Sequence, residues 1–148
     1  SQMISNRLSL REPQKRSLEI LAYLSNELDL SKNPDLQCAL ETVKKSYPTC
    51  SDFERDFISL CFALATGVGK TRLMGAFVTY LYLARGIKNF FVLAPNLTIY
   101  NKLIEDFSNP AHPKYVFKGI GEFVQNPPRV ITGDNYLQAS QMMLFHAD

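Results

Sequence analysis

A short glycine-containing segment carries the residue types that bind phosphate. Residues 64–71 follow an apolar run and lead into a helix-patterned segment. Gly67 and Gly69 can adopt positive φ, which lets backbone N–H groups approach phosphate oxygens. Lys70 offers a charge to the β- and γ-phosphates, Thr71 offers a hydroxyl to magnesium, and the following helix points its positive dipole end at the same anion. This order of strand, glycine loop and helix predicts the phosphate loop of a nucleoside triphosphatase.

One position departs from the usual pattern of such loops. The pattern begins with glycine or alanine, whereas this chain has Leu64 there. The alternative is a chance glycine turn between a core strand and a core helix, and the flanking patterns favour the phosphate loop over it. Lys70 and Thr71 are the predicted catalytic residues, and Thr71 is the predicted magnesium ligand. The residues predicted to contact the nucleotide from this loop are Thr66, Gly67, Val68, Gly69, Lys70, Thr71 and Arg72.

The composition is that of a globular protein. The chain has 148 residues, of which 46% are hydrophobic and 20% charged, and this excludes a disordered chain. The net charge of +2 is too small to indicate a nucleic-acid partner by itself. The three cysteines have no metal-binding spacing, and Cys61 is expected in the core. Neither a signal peptide nor a membrane-length apolar stretch is visible, so we expect a cytoplasmic protein without a membrane partner.

The pattern of apolar residues predicts strands that alternate with helices. The predicted elements are a helix from Pro13 or Gln14 to Leu28, a helix capped by Asn33 and ended by Pro48, a strand at 57–64, a helix from Lys70 to Arg85 capped by Gly86, a strand at 90–94, a helix at 97–107, short strands at 115–117 and 129–132, and a weak helix at 134–145. We therefore expect an α/β fold with a mostly parallel sheet and helices on both faces. Thr66, Pro95 and Thr132 would then converge at one edge of the sheet.

Sequence elements before and after the loop indicate which class of nucleotide-binding protein this chain resembles. Gln14 closes the segment Leu10-Arg11-Glu12-Pro13-Gln14, and its amide offers both the donor and the acceptor that an adenine edge requires. The alternative is an exposed glutamine at a helix start. In this respect the chain resembles the superfamily-two helicases and translocases, many of which have such a glutamine ahead of an Ala-Thr-Gly-x-Gly-Lys-Thr loop. The resemblance implies that Gln14 contacts adenine.

Two strand-end elements are similar to nucleic-acid contacts of the same superfamily. Pro95, Asn96 and Thr98 follow the apolar segment Phe91 to Ala94, and donors at a helix start suit a phosphate. Helix capping by Asn96 is an equal alternative. Thr132 lies in Val130-Ile131-Thr132-Gly133-Asp134, where a plain turn is the favoured alternative.

Together these segments resemble the motor (Res) subunit of type III restriction enzymes over residues 10–135, most specifically over 57–107. The resemblance implies an ATP-dependent DNA translocase or helicase-like subunit of a restriction endonuclease, with ATP and magnesium as cofactors. It also implies RecA-like P-loop architecture, double-stranded DNA bound through the full-length protein, and a modification (methyltransferase) subunit as partner.

The acidic strand-end motif that such motors use for magnesium and water is not apparent in this sequence. Glu105-Asp106 lies in a predicted helix and is expected on a solvated face, as are His112 and His146. We therefore expect residues 1–148 to form a single truncated RecA-like ATP-binding domain, with a helical lead-in at 1–50 and a P-loop core at 57–148. Alone it would bind ATP weakly and hydrolyse it negligibly. The alternatives are another P-loop NTPase or phosphotransferase, or a non-catalytic nucleotide-binding interaction module.

Overall fold

The described part of the chain, residues 1–31 and 33–137 in a computed structural model, is helical. It divides into two compact units, Ser1–Phe91 and Val92–Asp148. The predicted helix at 134–145 and His146 lie wholly or mostly outside the described residues. No helix in the described ranges is long and apolar enough to cross a membrane. The helices are α1 (Gln2–Arg7), α2 (Glu12–Glu27), α3 (Leu36–Ser46), α4 (Lys70–Arg85), α5 (Leu97–Ser108) and α6 (Gly121–Gln125).

The predicted α/β fold with a parallel sheet is wrong for this structure, because residues 1–31 and 33–137 contain no strand. The composition of segments 57–64 and 90–94 predicts central strands that are buried on both faces. Instead, Phe91 is 89% and Leu93 78% exposed. A strand exists only when its N–H and C=O groups pair with a neighbouring strand, and an apolar run alone does not supply that neighbour.

In the first unit, the apolar segment before the glycine loop packs through alternate residues. Ile58 and Leu60 lie against a core cluster, and the rings of Phe62 and Phe77 have centroids 4.9 Å apart. Cys61, expected in the core, is exposed, whereas its neighbours Leu60 and Phe62 are partly buried. The buried members of the cluster are Leu24, Leu28, Ala39, Val43 and Phe53.

The helices that flank the loop form where the sequence predicts them. Helix α4 runs over Lys70–Arg85 as expected, and Gly86 ends it in the left-handed conformation with φ +68°. Helix α2 packs against α4, and α1 contacts both helices. One predicted cap is wrong: Asp35 caps α3 in place of Asn33, because its Oδ1 accepts from the N–H groups of Gln37 and Cys38 at 3.0 and 3.1 Å.

The second unit has its own aromatic core. The predicted strand at 115–117 is irregular, and Tyr115 and Phe117 are buried there. The hydroxyl of Tyr115 donates to the carbonyl oxygen of Phe123 at 2.8 Å. Asp106, expected on a solvated face, is only 2% exposed, and its Oδ1 lies 3.2 Å from Nδ1 of the partly exposed His112. The helix therefore turns this carboxylate inward, towards the segment that follows α5.

Candidate functional site

The glycine loop has the backbone conformation that its glycines predict. Gly67 has φ +79° and Gly69 has φ +92°, so both occupy the left-handed region that other residues rarely adopt. Gly69 is also the N-cap of α4, and its carbonyl oxygen accepts the N–H of Leu73 at 3.2 Å. The loop therefore enters directly into the first turn of α4, where unpaired N–H groups and the helix dipole favour an anion.

The start of α2 holds this loop through side-chain donors. Nε2 of Gln14 donates to the carbonyl oxygens of Val68 and Gly69 at 3.0 and 2.9 Å. The guanidinium of Arg11 donates to the carbonyl oxygen of Gly67 at 3.3 Å. Three successive loop carbonyls are thus hydrogen-bonded to one helix start. We call Arg11 and Gln14 together the loop clamp.

The loop clamp also fixes the direction of the loop N–H groups. In a trans peptide, the N–H of one residue points opposite to the C=O of the residue before it. Since the carbonyls of residues 67–69 point to α2, the N–H groups of Val68, Gly69 and Lys70 point away from it. Within the described ranges, these N–H groups donate to no other residue. Successive unpaired backbone N–H groups of this kind can bind an anion.

The side chains at the start of α4 differ in whether they are hydrogen-bonded to other parts of the chain. Lys70 is exposed and Thr71 half-buried, and neither side chain forms a hydrogen bond to a described residue. Arg72, by contrast, donates to the carbonyl oxygen of Leu8 at 2.8 Å. Arg72 therefore ties α4 to the residue that follows α1. The side chains of Lys70 and Thr71 are therefore available to a ligand.

Within the first unit, the structure brings Gln14 into contact with the loop. Pro95, Asn96, Thr98 and Thr132 belong to the second unit, whereas the loop belongs to the first. Asn96 caps α5, since its Oδ1 accepts the N–H of Ile99 at 3.0 Å. The N–H of Thr132 donates to Oδ1 of Asn135 at 2.7 Å. Contact with nucleic acid stays a prediction for all of them.

Sequence reasoning missed the role of Arg11. It stands directly before α2, where its backbone N–H donates to Oε1 of Gln14 at 2.8 Å. Its place in the Leu-Arg-x-x-Gln segment was the available signal, but spacing alone did not show that its side chain reaches a loop more than fifty residues later (56 positions to Gly67).

Metal ligands are sparse in the described part of the chain. It contains no cluster of histidine, cysteine, aspartate or glutamate side chains that could hold a metal ion by itself. Magnesium usually keeps several waters and binds through few protein ligands together with substrate phosphates. The free hydroxyl of Thr71 fits that arrangement as one ligand beside a bound triphosphate.

The site belongs to the class in which a glycine loop presents backbone donors at the start of a helix. A family model described as the type III restriction enzyme res subunit matches residues 7–146. The chain therefore belongs to the family of type III restriction enzyme res subunits, and the resemblance drawn from the sequence is confirmed. No solved structure matches the chain.

A curated relative is the probable type III restriction-modification enzyme HindVIP Res subunit of Haemophilus influenzae (strain ATCC 51907 / DSM 11121 / KW20 / Rd). It is 27% identical over 139 residues, which are 93% of this chain. The chain spans only 22% of the length of that relative.

Proposed function

We propose that this chain is the ATP-binding part of an ATP-dependent DNA translocase or helicase-like subunit of a type III restriction endonuclease. Membership of the res-subunit family supports the class of enzyme. The observation that carries the nucleotide site is the glycine loop, whose three carbonyls are turned towards α2 so that the N–H groups of Val68, Gly69 and Lys70 face outward. Those donors suit the oxygens of a triphosphate.

The roles at this site follow from chemistry and position. The N–H groups of Val68, Gly69 and Lys70 provide backbone donors to the phosphates, and the ammonium of Lys70 neutralises charge on the β- and γ-phosphates. The hydroxyl of Thr71 takes one position on a magnesium ion bound with ATP, and that ion would polarise the γ-phosphate. Arg72 contributes by anchoring α4 to Leu8, so its effect on the nucleotide is indirect.

The partners are proposed from the family. Res subunits work with DNA and a modification subunit, and we propose both for the full-length protein that carries this chain. Within the chain, Pro95, Asn96 and Thr98 at the start of α5 are the proposed contacts to the DNA backbone, with Thr132 as a further one. The proposed compartment is the cytoplasm, where such a protein would meet DNA.

The nucleotide site can be tested on this chain alone by NMR. In a titration of the ¹⁵N-labelled chain with Mg²⁺-ATP, the amides of residues 67–71 should shift first. Lys70→Ala should weaken binding about tenfold to a hundredfold, because it removes a charge-assisted interaction. Lys88→Ala, which removes an exposed lysine beyond the end of α4, is the matched control and should bind as the natural chain does.

Two results would contradict the proposal. One is that ATP shifts amides elsewhere and leaves residues 67–71 unmoved. The other concerns ATP hydrolysis by the full-length protein. We expect this hydrolysis to rise on addition of double-stranded DNA and to vanish with Lys70→Ala. Hydrolysis that ignores DNA would favour another class of nucleotide enzyme.

A further inference from the structure

The side chain of Asn135 bridges two backbone groups of the segment 130–132. Its Oδ1 accepts the N–H of Thr132 at 2.7 Å, and its Nδ2 donates to the carbonyl oxygen of Val130 at 3.2 Å. The backbone N–H of Asn135 also donates to the carbonyl oxygen of Thr132, at 3.2 Å. A neighbouring strand would offer such a donor and acceptor, and the asparagine amide takes its place here. Asn135 therefore fixes the backbone that leads into Gly133.

These hydrogen bonds determine which atoms near Thr132 can meet a ligand. The N–H of Thr132 is used by Asn135, whereas its hydroxyl forms no hydrogen bond to a described residue. The backbone N–H groups of Gly133 and Asp134 likewise donate to no residue that the structure describes. Hydroxyl and backbone N–H donors of this kind bind phosphate oxygens in nucleic acids. Thr132 would therefore contact a phosphate through its hydroxyl and not through its N–H.

The backbone conformation and the surroundings of Gly133 do not require a glycine. Its φ lies outside the left-handed region, and a Cβ atom built on it would meet no atom within 4 Å. The residue is also exposed. A glycine in such a place allows close approach of a ligand to the backbone. The open space at Gly133 and the unused donors beside it thus indicate the same position for a ligand.

We propose that Asn135 is a positioning residue that holds the hydroxyl of Thr132 and the N–H of Gly133 in place for a phosphate of the DNA backbone. This rests on the proposed binding of DNA by the full-length protein, with Thr132 as one of its contacts. Contacts to phosphate carry no sequence information. Asn135 should therefore affect the affinity for every duplex alike, and should have little effect on ATP hydrolysis once DNA is bound.

The test measures ATP hydrolysis by the full-length protein at increasing concentrations of duplex DNA. For Thr132→Val, which removes the hydroxyl, we expect the half-saturating DNA concentration to rise about tenfold. For Asn135→Ala we expect a rise of about fivefold, with a maximal rate within about twofold of the natural protein. In the double variant the rise should stay well below the product of the two, because Asn135 acts through Thr132. Asn126→Ala, at an exposed asparagine of the same unit, is the matched control.

Three results would overturn the inference. The first is an equal half-saturating concentration in Asn135→Ala and Asn126→Ala. The second is a double variant in which the two single effects multiply in full. The third is a loss confined to the maximal rate, which a general defect of folding would produce. A natural protein whose hydrolysis of ATP does not respond to DNA would overturn the proposed function itself, and the inference with it.

A second pair of variants keeps the test decisive if Asn135→Ala does not fold. Gly133→Ala adds a Cβ that meets no atom, so the fold should persist while the half-saturating DNA concentration rises about fivefold. Gly121→Ala, which has the same open surroundings, is the control. Asp134→Asn should lower this concentration, since it removes an exposed negative charge beside the phosphate. Equal values in Gly133→Ala and Gly121→Ala, or no change in Asp134→Asn, would contradict a phosphate at this turn.

Discussion

Replacement of Gly69 by alanine tests the contact between the loop and α2. The new Cβ would meet Nε2 of Gln14 at 2.7 Å, and the residue would keep a φ of +92°. For a residue other than glycine, a left-handed conformation costs about 1–2 kcal/mol. Displacement of the buried amide leaves polar groups unpaired, which costs about 1–3 kcal/mol more. We expect Gly69→Ala to lower the free energy of unfolding by about 2–5 kcal/mol.

The matched control is Gly86→Ala at the end of α4. Gly86 has φ +68°, but a Cβ there would meet no atom within 4 Å. Its substitution should therefore cost only the backbone contribution of about 1–2 kcal/mol. Urea unfolding followed by far-ultraviolet circular dichroism gives both values. The difference between the two variants isolates the contact with Gln14.

Two results would refute this reasoning. Equal losses of stability in Gly69→Ala and Gly86→Ala would mean that Gln14 does not approach the loop in solution. A double variant provides the second criterion: in a Gln14→Ala background, the extra cost of Gly69→Ala should largely disappear, because residues in contact are not additive. Full additivity would contradict the contact.

The remaining predictions concern the cores of the two units. Leu18 is fully buried in α2. In the same urea assay, Leu18→Ala should lower the free energy of unfolding by about 2–5 kcal/mol, whereas Leu30→Ala at an exposed position should change it by less than about 0.5 kcal/mol. Equal effects would show that α2 does not pack as described. In the second unit, burial raises the pKa of Tyr115 above its ordinary value of 10.0. Stability from its neutral hydroxyl should be present below about pH 10 and be lost as the pH rises through the raised pKa. Tyr115→Phe should remove this alkaline loss, and unfolding curves with the same pH dependence in both proteins would contradict the assignment.

Local sequence signals predicted the four longer helices α2 to α5, because capping and helical periodicity act within a few residues, but they did not predict the short helices α1 and α6. The start of α4 at Lys70 and its left-handed end at Gly86 agree with the structure, and Asn96 caps α5, which is one of the two roles that the sequence left open for it. The cap of α3 is Asp35 and not the expected Asn33, since several residues near a helix start can accept the same N–H groups. Such errors shift a boundary without changing the type of element.

Patterns that depend on distant partners were less informative. The apolar run at 90–94 has the composition of a buried strand, yet Phe91 and Leu93 are mostly exposed because no described strand pairs with it. Aspartate is usually found on the protein surface, but Asp106 is buried near His112. Burial is decided by which segments meet, and hydropathy along the chain does not contain that information.

The sequence by itself determined the family and the position of the glycine loop, because Gly67, Gly69, Lys70 and Thr71 have the types and spacing that a phosphate loop requires. It also marked Gln14 as a functional residue. Only the tertiary structure decided what the Gln14 amide does: packing of α2 against α4 brings it within hydrogen-bond distance of Val68 and Gly69. A side chain has a limited number of donors, and which groups take them depends on the neighbours that folding provides.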